Sequence, residues 1–254
     1  MAEPLALRLE GVTKWFGGLR AVDGVELAVR PGERRALIGP NGAGKTTVFN
    51  CISGFLRPDA GEVRLEGRDV TGWPPHRLVF SGLARTFQIT KVFGELAVLE
   101  NVALAVRSRQ GRNLDVWHRA GAVGQAQAEA AEILELLELT ERADLRAEQL
   151  GHGDKRVLEV AIALALRPRV LLLDEPTAGM SAGESDRIAQ LIRRLAERTS
   201  VLLVEHDTEM VLAIADAITV MTQGRVIAQG TPDAISRDAR VQDAYLGAVD
   251  AART

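Results

Sequence analysis

Residues 39–46 have the composition of a phosphate-binding loop. They read GPNGAGKT, which fits the pattern G-x-x-x-x-G-K-[S/T], and they lie between an apolar run and a stretch of helical character. Glycines let successive backbone N–H groups turn toward an anion, and the positive end of the following helix adds to the attraction. The residues that we expect to contact a nucleoside triphosphate here are Gly39, Pro40, Asn41, Gly42, Ala43, Gly44, Lys45, Thr46 and Thr47.

Three side chains elsewhere in the chain suit phosphate hydrolysis. Asp174 and Glu175 end the apolar run VLLL, and His206 ends the sequence VLLVEH. An aspartate at a strand end can hold Mg²⁺ directly or through water, together with the Thr46 hydroxyl, and the next carboxylate can polarise an attacking water. Phosphoryl transfer requires positioning, charge neutralisation and one oriented water. We therefore predict that Lys45 neutralises phosphate charge, Glu175 activates water and His206 contacts the γ-phosphate.

Three short apolar runs must place these groups together. Residues 36–38, 170–173 and 201–204 are continuously apolar, which is typical of strands buried on both faces of a parallel sheet. Each run is followed at once by polar or glycine-rich sequence. Because ligands bind at the carboxyl ends of the strands in open α/β sheets, the runs predict one shared site in an α/β fold.

Other patterns predict the surrounding elements. Alternation in LALRLEGV, VELAV and EVRL predicts a small antiparallel sheet, and helical spacing predicts helices over 126–137, 157–166 and 188–195. A hairpin turn is expected at 223–225, and Thr231 with Pro232 forms a helix start. The polar, Arg-rich and Gly-punctuated segment 107–124 predicts a surface loop.

The bulk composition limits the class of protein. The chain has 254 residues, a net charge of −3 and 46% hydrophobic residues, which suits one globular α/β domain and does not favour nucleic acid as a partner. A single cysteine, Cys51, excludes an internal disulfide. Neither a secretory signal nor an apolar run of about 18 residues is visible, so any role at a membrane is expected to depend on partner proteins.

Over essentially its whole length the sequence resembles the nucleotide-binding subunits of ATP-binding-cassette proteins. Beside the phosphate loop and DEP, the segment LARTFQ places Gln88 at the glutamine that the family uses to sense Mg²⁺ and to couple to membrane subunits. His206 matches the switch histidine of the family. Phe16 lies near the aromatic position that stacks on adenine, with Trp15 as a neighbouring candidate.

The family signature L-S-G-G-Q is represented by LGHGD at 150–154, before an expected helix from Asp154 onward. The resemblance implies that Gly151 and Gly153 contact the ATP held by a second cassette. The backbone amides at the start of the helix that follows them can face the γ-phosphate of that ATP. Two positions depart from the family pattern. Gly151 replaces the signature serine, and Ser181 replaces the aspartate that many members carry in the D-loop. We expect slower hydrolysis from the first change and altered communication between sites from the second.

The resemblance implies a P-loop NTPase fold. A RecA-like parallel-sheet core with a flanking antiparallel β subdomain is expected over 1–88 and 160–240, a helical subdomain carrying the signature over 89–159, and a tail over 241–254. ATP and Mg²⁺ are the expected cofactors. Two cassettes are expected to pack head to tail around two ATP molecules.

A closer resemblance is to the importer ATPases for branched-chain or hydrophobic amino acids, and to related ones for urea or amides. The segments that carry it include FGGLRAVDGV, LENV, GHGDKR, VEHD, GTPDAI and AYLG. It implies a second, different ATPase subunit, two membrane-spanning permease subunits, an indirect link to an external solute-binding protein, and a place at the cytoplasmic face of the plasma membrane.

Three alternatives remain open at this point. A soluble cassette that acts on DNA or ribosomes is disfavoured by the short insert, the single cassette and the charge. A regulatory cassette that no longer hydrolyses ATP is suggested by Gly151, although Lys45, Asp174, Glu175 and His206 argue against it. Export instead of import is disfavoured by the subfamily resemblance alone.

Overall fold

The computed structural model describes residues 5–86, 92–110 and 119–244, and for 119–123 the backbone alone. The strands are β1 (Leu7–Phe16), β2 (Leu19–Val29), β3 (Arg34–Ile38), β4 (Ala60–Leu65), β5 (Arg68–Asp69), β6 (Leu83–Arg85), β7 (Val170–Asp174), β8 (Ser200–Val204), β9 (Ala217–Thr222) and β10 (Arg225–Gly230). The helices are α1 (Lys45–Ile52), α2 (Pro75–Phe80), α3 (Val98–Arg109), α4 (Arg119–Leu136), α5 (His152–Ala165), α6 (Ala182–Leu195), α7 (Thr208–Ile214) and α8 (Pro232–Ser236).

A six-stranded sheet in the order β10-β9-β3-β8-β7-β6 forms the centre of the molecule. Strands β3, β8 and β7 are the three predicted apolar runs, and they lie side by side and parallel. All five residues of β7 and of β8 are buried, which explains why these strands are apolar without alternation. Their carboxyl ends meet at one edge of the sheet, as the sequence predicted.

A second sheet, of order β2-β1-β4-β5, is antiparallel and packs its alternating apolar residues inward. The core that it shares with the central sheet includes Leu7, Leu9 and Val63 from its own strands and Phe49 from α1. The antiparallel sheet is therefore packed against the helix that follows the phosphate loop. The chain has the mixed α/β architecture of a P-loop NTPase, as the sequence predicted.

Helices α3, α4 and α5 pack together beside the central sheet. Their buried residues include Val102, Ala130, Leu134 and Leu158, and they belong to the same core as β7. Among the described residues, no helix combines the length and the apolar character needed to cross a bilayer.

The predicted loop over 107–124 is wrong at both of its ends. Residues 107–109 are the last turn of α3, and 119–124 are the first turns of α4. Arg109, one of the residues that suggested a loop, lies at the C-terminal end of α3 and forms two hydrogen bonds with Glu129 of α4, of 2.9 and 2.7 Å. Residues 111–118 lie outside the described part of the chain.

Candidate functional site

The phosphate loop leaves β3 and enters α1 through two glycines that no other residue could replace without strain. Gly39 has φ 152°, and a Cβ built on it would lie 2.1 Å from the carbonyl oxygen of Met221. Gly44 has φ 100°, and its Cβ would lie 2.6 Å from the carbonyl oxygen of Ala21. The loop is therefore pressed against the backbone of β2 and β9, and this packing fixes the direction in which its N–H groups point.

Lys45 is the first residue of α1, and its ammonium group is buried against the loop itself. Its Nζ donates to the carbonyl oxygens of Gly39, at 2.7 Å, and of Pro40, at 3.0 Å. Burial lowers the pKa of Lys45, and the carboxylate of Glu175 opposes that change. The lysine thus holds its positive charge inside the loop, where a phosphate would bind.

A cavity of about 480 Å³ lies over the loop and brings most of the predicted site residues together. It is lined from the phosphate loop and α1 by Asn41, Gly42, Ala43, Gly44, Lys45, Thr46 and Thr47, from the sheet edge by Glu175 and His206, from the start of β2 by Leu19, Arg20 and Ala21, and from the turn between β9 and β10 by Gln223 and Gly224. Residues distant in sequence thus converge on the carboxyl edge of the central sheet, as expected.

Glu175 follows the last residue of β7 in a strained backbone conformation. Its φ is 48°, a left-handed value that costs a non-glycine residue on the order of 1 kcal/mol. Its N–H donates to the carbonyl of Val204, and its Oε1 lies 2.9 Å from Nε2 of His206. The strain turns the carboxylate into the cavity, where with His206 it can orient a water beside the phosphate loop.

Asp174 faces the other side of the strand end, where sequence analysis missed its partner. Its Oδ2 accepts a hydrogen bond of 2.6 Å from Arg85 at the end of β6, and the exposed fractions of the two side chains are 5% and 9%. The same guanidinium donates to Asn50 and to Ser53 of the α1 region, at 2.7 Å each. Only the position of Arg85, three residues before the family glutamine, could have marked it in the sequence.

A buried carboxylate that the sequence analysis also missed joins the two strand ends. Glu205 is 4% exposed and accepts bonds from the backbone N–H and the hydroxyl of Thr177, at 2.8 and 2.6 Å. Its other oxygen accepts from the N–H of His206, at 3.0 Å. An acidic residue directly after an apolar strand was the available signal. Glu205 fixes the loop after β7 relative to the loop that carries His206.

The signature residues lie away from this cavity. Gly151 is the N-cap of α5, and the helix begins at His152, two residues earlier than predicted, because Gly151 takes an extended conformation with φ −63° and ψ 168°. Neither Gly151 nor Gly153 is among the residues that line the cavity. The predicted roles of both glycines at ATP therefore require a second cassette.

The D-loop position has a structural role within the chain. Ser181 precedes α6, and its N–H and hydroxyl both donate to Oε2 of Glu184, at 2.9 and 2.7 Å. Nε2 of His152 lies 3.2 Å from the carbonyl oxygen of Ala178. The signature and the D-loop are therefore in contact at the start of α5 and α6.

The proposed adenine contact lies beside the cavity. Phe16 ends β1, is 47% exposed and is paired across the strands with Leu19, which lines the cavity. The ring of Trp15 is covered by Arg20, whose Cζ lies 4.2 Å from the ring centroid. The geometry leaves Phe16 the more accessible of the two candidates. Gln88, predicted to bind Mg²⁺ and to couple to partners, lies outside the described residues.

Two family models match the sequence. Residues 22–178 match the model described as ABC transporter, and residues 225–251 match the model described as branched-chain amino acid ATP-binding cassette transporter. The first match covers more than half of the chain. The protein therefore belongs to the ATP-binding-cassette transporter family and is an ATPase of that family.

Two relatives of this chain are named as ATP-binding proteins of branched-chain amino acid transport. The chain is 42% identical to the high-affinity branched-chain amino acid transport ATP-binding protein BraF of Pseudomonas aeruginosa, over 97% of this chain and 99% of BraF. It is 40% identical to the protein LivG of Escherichia coli, described in the same words, over 97% of this chain and 99% of LivG.

Solved structures confirm the fold. The ADP conformation of MJ1267, an ATP-binding cassette of an ABC transporter, matches with a TM-score of 0.83 and 31% identity over 96% of this chain and 99% of that one. A dimeric structure of the cassette MJ0796 bound to ADP and phosphate matches with a TM-score of 0.74 and 25% identity over 89% of this chain and 98% of that one.

Proposed function

We propose that this protein is the ATP-binding and ATP-hydrolysing subunit of a membrane importer for branched-chain or other hydrophobic amino acids. One observation carries the proposal. The cavity joins a complete phosphate loop to Glu175 and His206, in a chain about 40% identical, end to end, to transport ATP-binding proteins named for these solutes.

The described residues fit MgATP. Thr46 lines the cavity and Asp174 ends β7, so a hydroxyl and a carboxylate are available as hard oxygen donors at the edge of the sheet that carries the phosphate loop. Mg²⁺ characteristically takes one or two carboxylate or hydroxyl ligands and fills its shell with phosphate oxygens and water. When bound, the ion would neutralise charge on the β- and γ-phosphates.

The chain's own groups then account for hydrolysis. Loop amides and Lys45 hold the phosphates, and Glu175 accepts a proton from the attacking water. His206 fixes the carboxylate through the 2.9 Å bond and contacts the γ-phosphate. Phe16 supports the adenine ring at the mouth of the cavity, and Gln88 completes the sensing of Mg²⁺.

The partner cassette completes the site. Because Gly151 and Gly153 do not line the cavity of their own chain, we infer that they contact the ATP of a second ATPase subunit packed head to tail. The positive N-terminal end of α5, which begins at His152, suits a γ-phosphate. The cassette MJ0796, which has a similar fold, is dimeric in its structure with ADP and phosphate, and this supports the presence of a second cassette.

The membrane subunits have a separate surface. A cavity of about 210 Å³, here called the docking cavity, opens between β6, α2 and α5 and is lined among others by Ser53, Phe55, Leu78, Arg85, Glu159 and Ile162. Phe55 is 50% exposed although it is aromatic. We propose that an apolar segment of a permease subunit binds here and so holds the ATPase at the cytoplasmic face of the membrane.

The test is affinity purification of the tagged chain from detergent-solubilised native membranes, followed by mass spectrometry. The expected result is two polytopic membrane proteins, a second ATPase of similar size and an amino-acid-binding protein. Recovery with soluble proteins or ribosomes alone would refute the proposal that the chain is an importer subunit. A urea- or amide-binding protein would change the solute and leave the motor intact.

A further inference from the structure

Arg85 lies between the docking cavity and the carboxylate that is proposed to hold Mg²⁺. We propose that Arg85 is a positioning residue through which the occupant of the docking cavity controls how strongly Asp174 holds Mg²⁺. The inference rests on the proposed function, since it needs a nucleotide-bound cation and a docked membrane subunit. It assigns to one side chain the link between these two events.

The contact with Asp174 is close and buried. Arg85 donates to Oδ2 of Asp174 at 2.6 Å, with 9% and 5% of the two side chains exposed. Charge-assisted hydrogen bonds of this kind are short and strong, and the surrounding protein screens them less than water does. The guanidinium therefore offsets much of the negative charge with which Asp174 would attract a divalent cation.

The contact with the docking cavity is equally direct. Arg85 is one of the residues that line the cavity, together with Ser53 and Phe55. The guanidinium donates to the Ser53 hydroxyl at 2.7 Å, and its Cζ lies 5.8 Å from the centroid of the Phe55 ring. A segment that enters the cavity must displace or pack against these groups, so it changes the environment of Arg85 without touching the nucleotide.

A third set of contacts ties Arg85 to the helix of the phosphate loop. Asn50 of α1 accepts a hydrogen bond of 2.7 Å, and the Arg85 Cζ lies 5.6 Å from the centroid of the buried Phe49 ring. The planar guanidinium thus spans β7, α1 and the cavity wall at once. A lysine, which carries a point charge on a flexible stem, could not hold all of these contacts together.

These contacts set the direction of the effect. While Arg85 is on Asp174, Mg²⁺ meets a carboxylate whose charge is largely offset. The guanidinium already holds Ser53 and Asp174 at the same time, so an occupant of the docking cavity that accepts its hydrogen bonds and draws it off Asp174 uncovers the carboxylate. We therefore expect Mg²⁺ to bind more tightly to the assembled complex than to the isolated subunit when ATP is present.

The test compares Arg85→Gln with the wild type, both carrying Glu175→Gln to suppress hydrolysis. A fluorescent ATP analogue is titrated with Mg²⁺, first on the isolated subunit and then on the complex assembled with its two membrane proteins. In the isolated subunit, Arg85→Gln should lower the half-saturating Mg²⁺ concentration by about tenfold, because a nearby positive charge is removed. In the variant, the difference between subunit and complex should disappear.

Arg35→Gln is the matched control. Arg35 forms another buried pair, with Glu33 at 2.9 Å, on β3 of the same sheet, and it lines neither cavity. Its loss removes a buried arginine without touching Asp174, so the half-saturating Mg²⁺ concentration should stay at the wild-type value. Circular dichroism before each titration confirms that the variants are folded.

Arg85→Lys keeps the proposal testable if Arg85→Gln does not fold. It retains the charge near Asp174, so Mg²⁺ binding to the isolated subunit should stay within about twofold of wild type. Tightening as large as that expected for glutamine would overturn the charge argument. An unchanged or weaker Mg²⁺ dependence in Arg85→Gln, or a difference between subunit and complex that persists in it, would overturn the inference. Failure of the wild type to bind ATP would instead refute the proposed function.

Discussion

At the residue scale, the groups proposed for hydrolysis are each held by a partner inside the chain. Lys45 donates hydrogen bonds to loop carbonyls. Glu175 is hydrogen-bonded to His206, 31 residues away, and Asp174 is hydrogen-bonded to Arg85, 89 residues away. The groups themselves could be predicted because each belongs to a short local motif. Arg85 could not, because a contact between separate strands leaves no spacing in the sequence.

Glu175→Gln should abolish ATP turnover and preserve ATP binding. The amide keeps the size of the carboxylate and loses its ability to accept a proton, and removal of a general base typically lowers turnover by about a hundredfold or more. Phosphate release and binding of a fluorescent ATP analogue measure the two quantities.

Glu197→Gln, on an exposed residue just after α6, is the control and should leave turnover unchanged. Normal turnover in Glu175→Gln would remove Glu175 from its role as the base.

Cys51 should be unreactive in the folded protein. It is 2% exposed on α1, and burial raises the pKa of the thiol to about 11. Near pH 8, therefore, only about one thiol in a thousand is the reactive thiolate, and it is also shielded from reagent. Reaction with Ellman's reagent should be slow in buffer and complete in denaturant. A fast reaction in buffer would contradict the packing of α1 described above.

At the scale of elements, helix ends were harder to predict than helices. The hairpin turn at Gln223 and Gly224, with φ of 47° and 78°, and the Thr231 cap of α8 were predicted correctly, because turn and cap residues act locally. The ends of the segment 107–124 were misread because Arg109, which looked like a loop residue, pairs with a residue of another helix. Glu129, for example, binds Arg109 of α3 and Arg167 after α5.

Glu129→Gln should destabilise the contact between α3 and α4 in a pH-dependent way. The hydrogen bonds from Arg109, with its charge and that of Arg167, hold the pKa of Glu129 below its usual value. A carboxylate with a depressed folded pKa contributes stability that is fully present above about pH 4.3, its ordinary value, and is lost as the pH falls through the folded value.

Urea unfolding at pH 7 should show a loss of about 1 kcal/mol for Glu129→Gln, which shrinks toward zero below about pH 4. Glu132→Gln, on the exposed face of the same helix, should have no effect at either pH. An equal loss at both pH values would show that packing, and not charge, is responsible.

Two glycines at the start of α5 should respond differently to serine. A Cβ on Gly151 meets no atom within 4 Å, so Gly151→Ser should fold normally and raise or preserve turnover in the assembled complex. The hydroxyl could donate to the γ-phosphate of the partner site, and a hydrogen bond to a charged group contributes roughly 1.5–3 kcal/mol.

Gly153→Ser is the matched comparison. Its Cβ would lie 2.6 Å from Oε1 of Glu184, the carboxylate that holds Ser181, so the start of α6 should be disturbed and turnover should fall. Phosphate release by the assembled complex measures both variants. A clear loss of turnover in Gly151→Ser would contradict the proposed place of this residue at the partner's ATP.

At the scale of the whole molecule, the fold could be predicted from the sequence because the apolar patterns of the separate segments all indicated the same architecture. Continuous apolar runs became the parallel sheet, and alternating ones became the antiparallel sheet. The family resemblance implies that Gly151 and Gly153 act at a second cassette, and the structure agrees in leaving both glycines out of the lining of the cavity over the phosphate loop. What could not be predicted from the sequence is the second cavity, which is lined by Arg85, the ion-pair partner of Asp174.

ATP-driven uptake by the reconstituted complex tests the central claim most directly. The two ATPases, the two membrane proteins and the binding protein are placed in liposomes, and entry of labelled leucine is followed with ATP on the side of the ATPases. Uptake should require ATP, stop with Glu175→Gln in this chain, and be competed by isoleucine or valine but not by urea. Leucine uptake that continues unchanged with Glu175→Gln would contradict the claim that this subunit energises import.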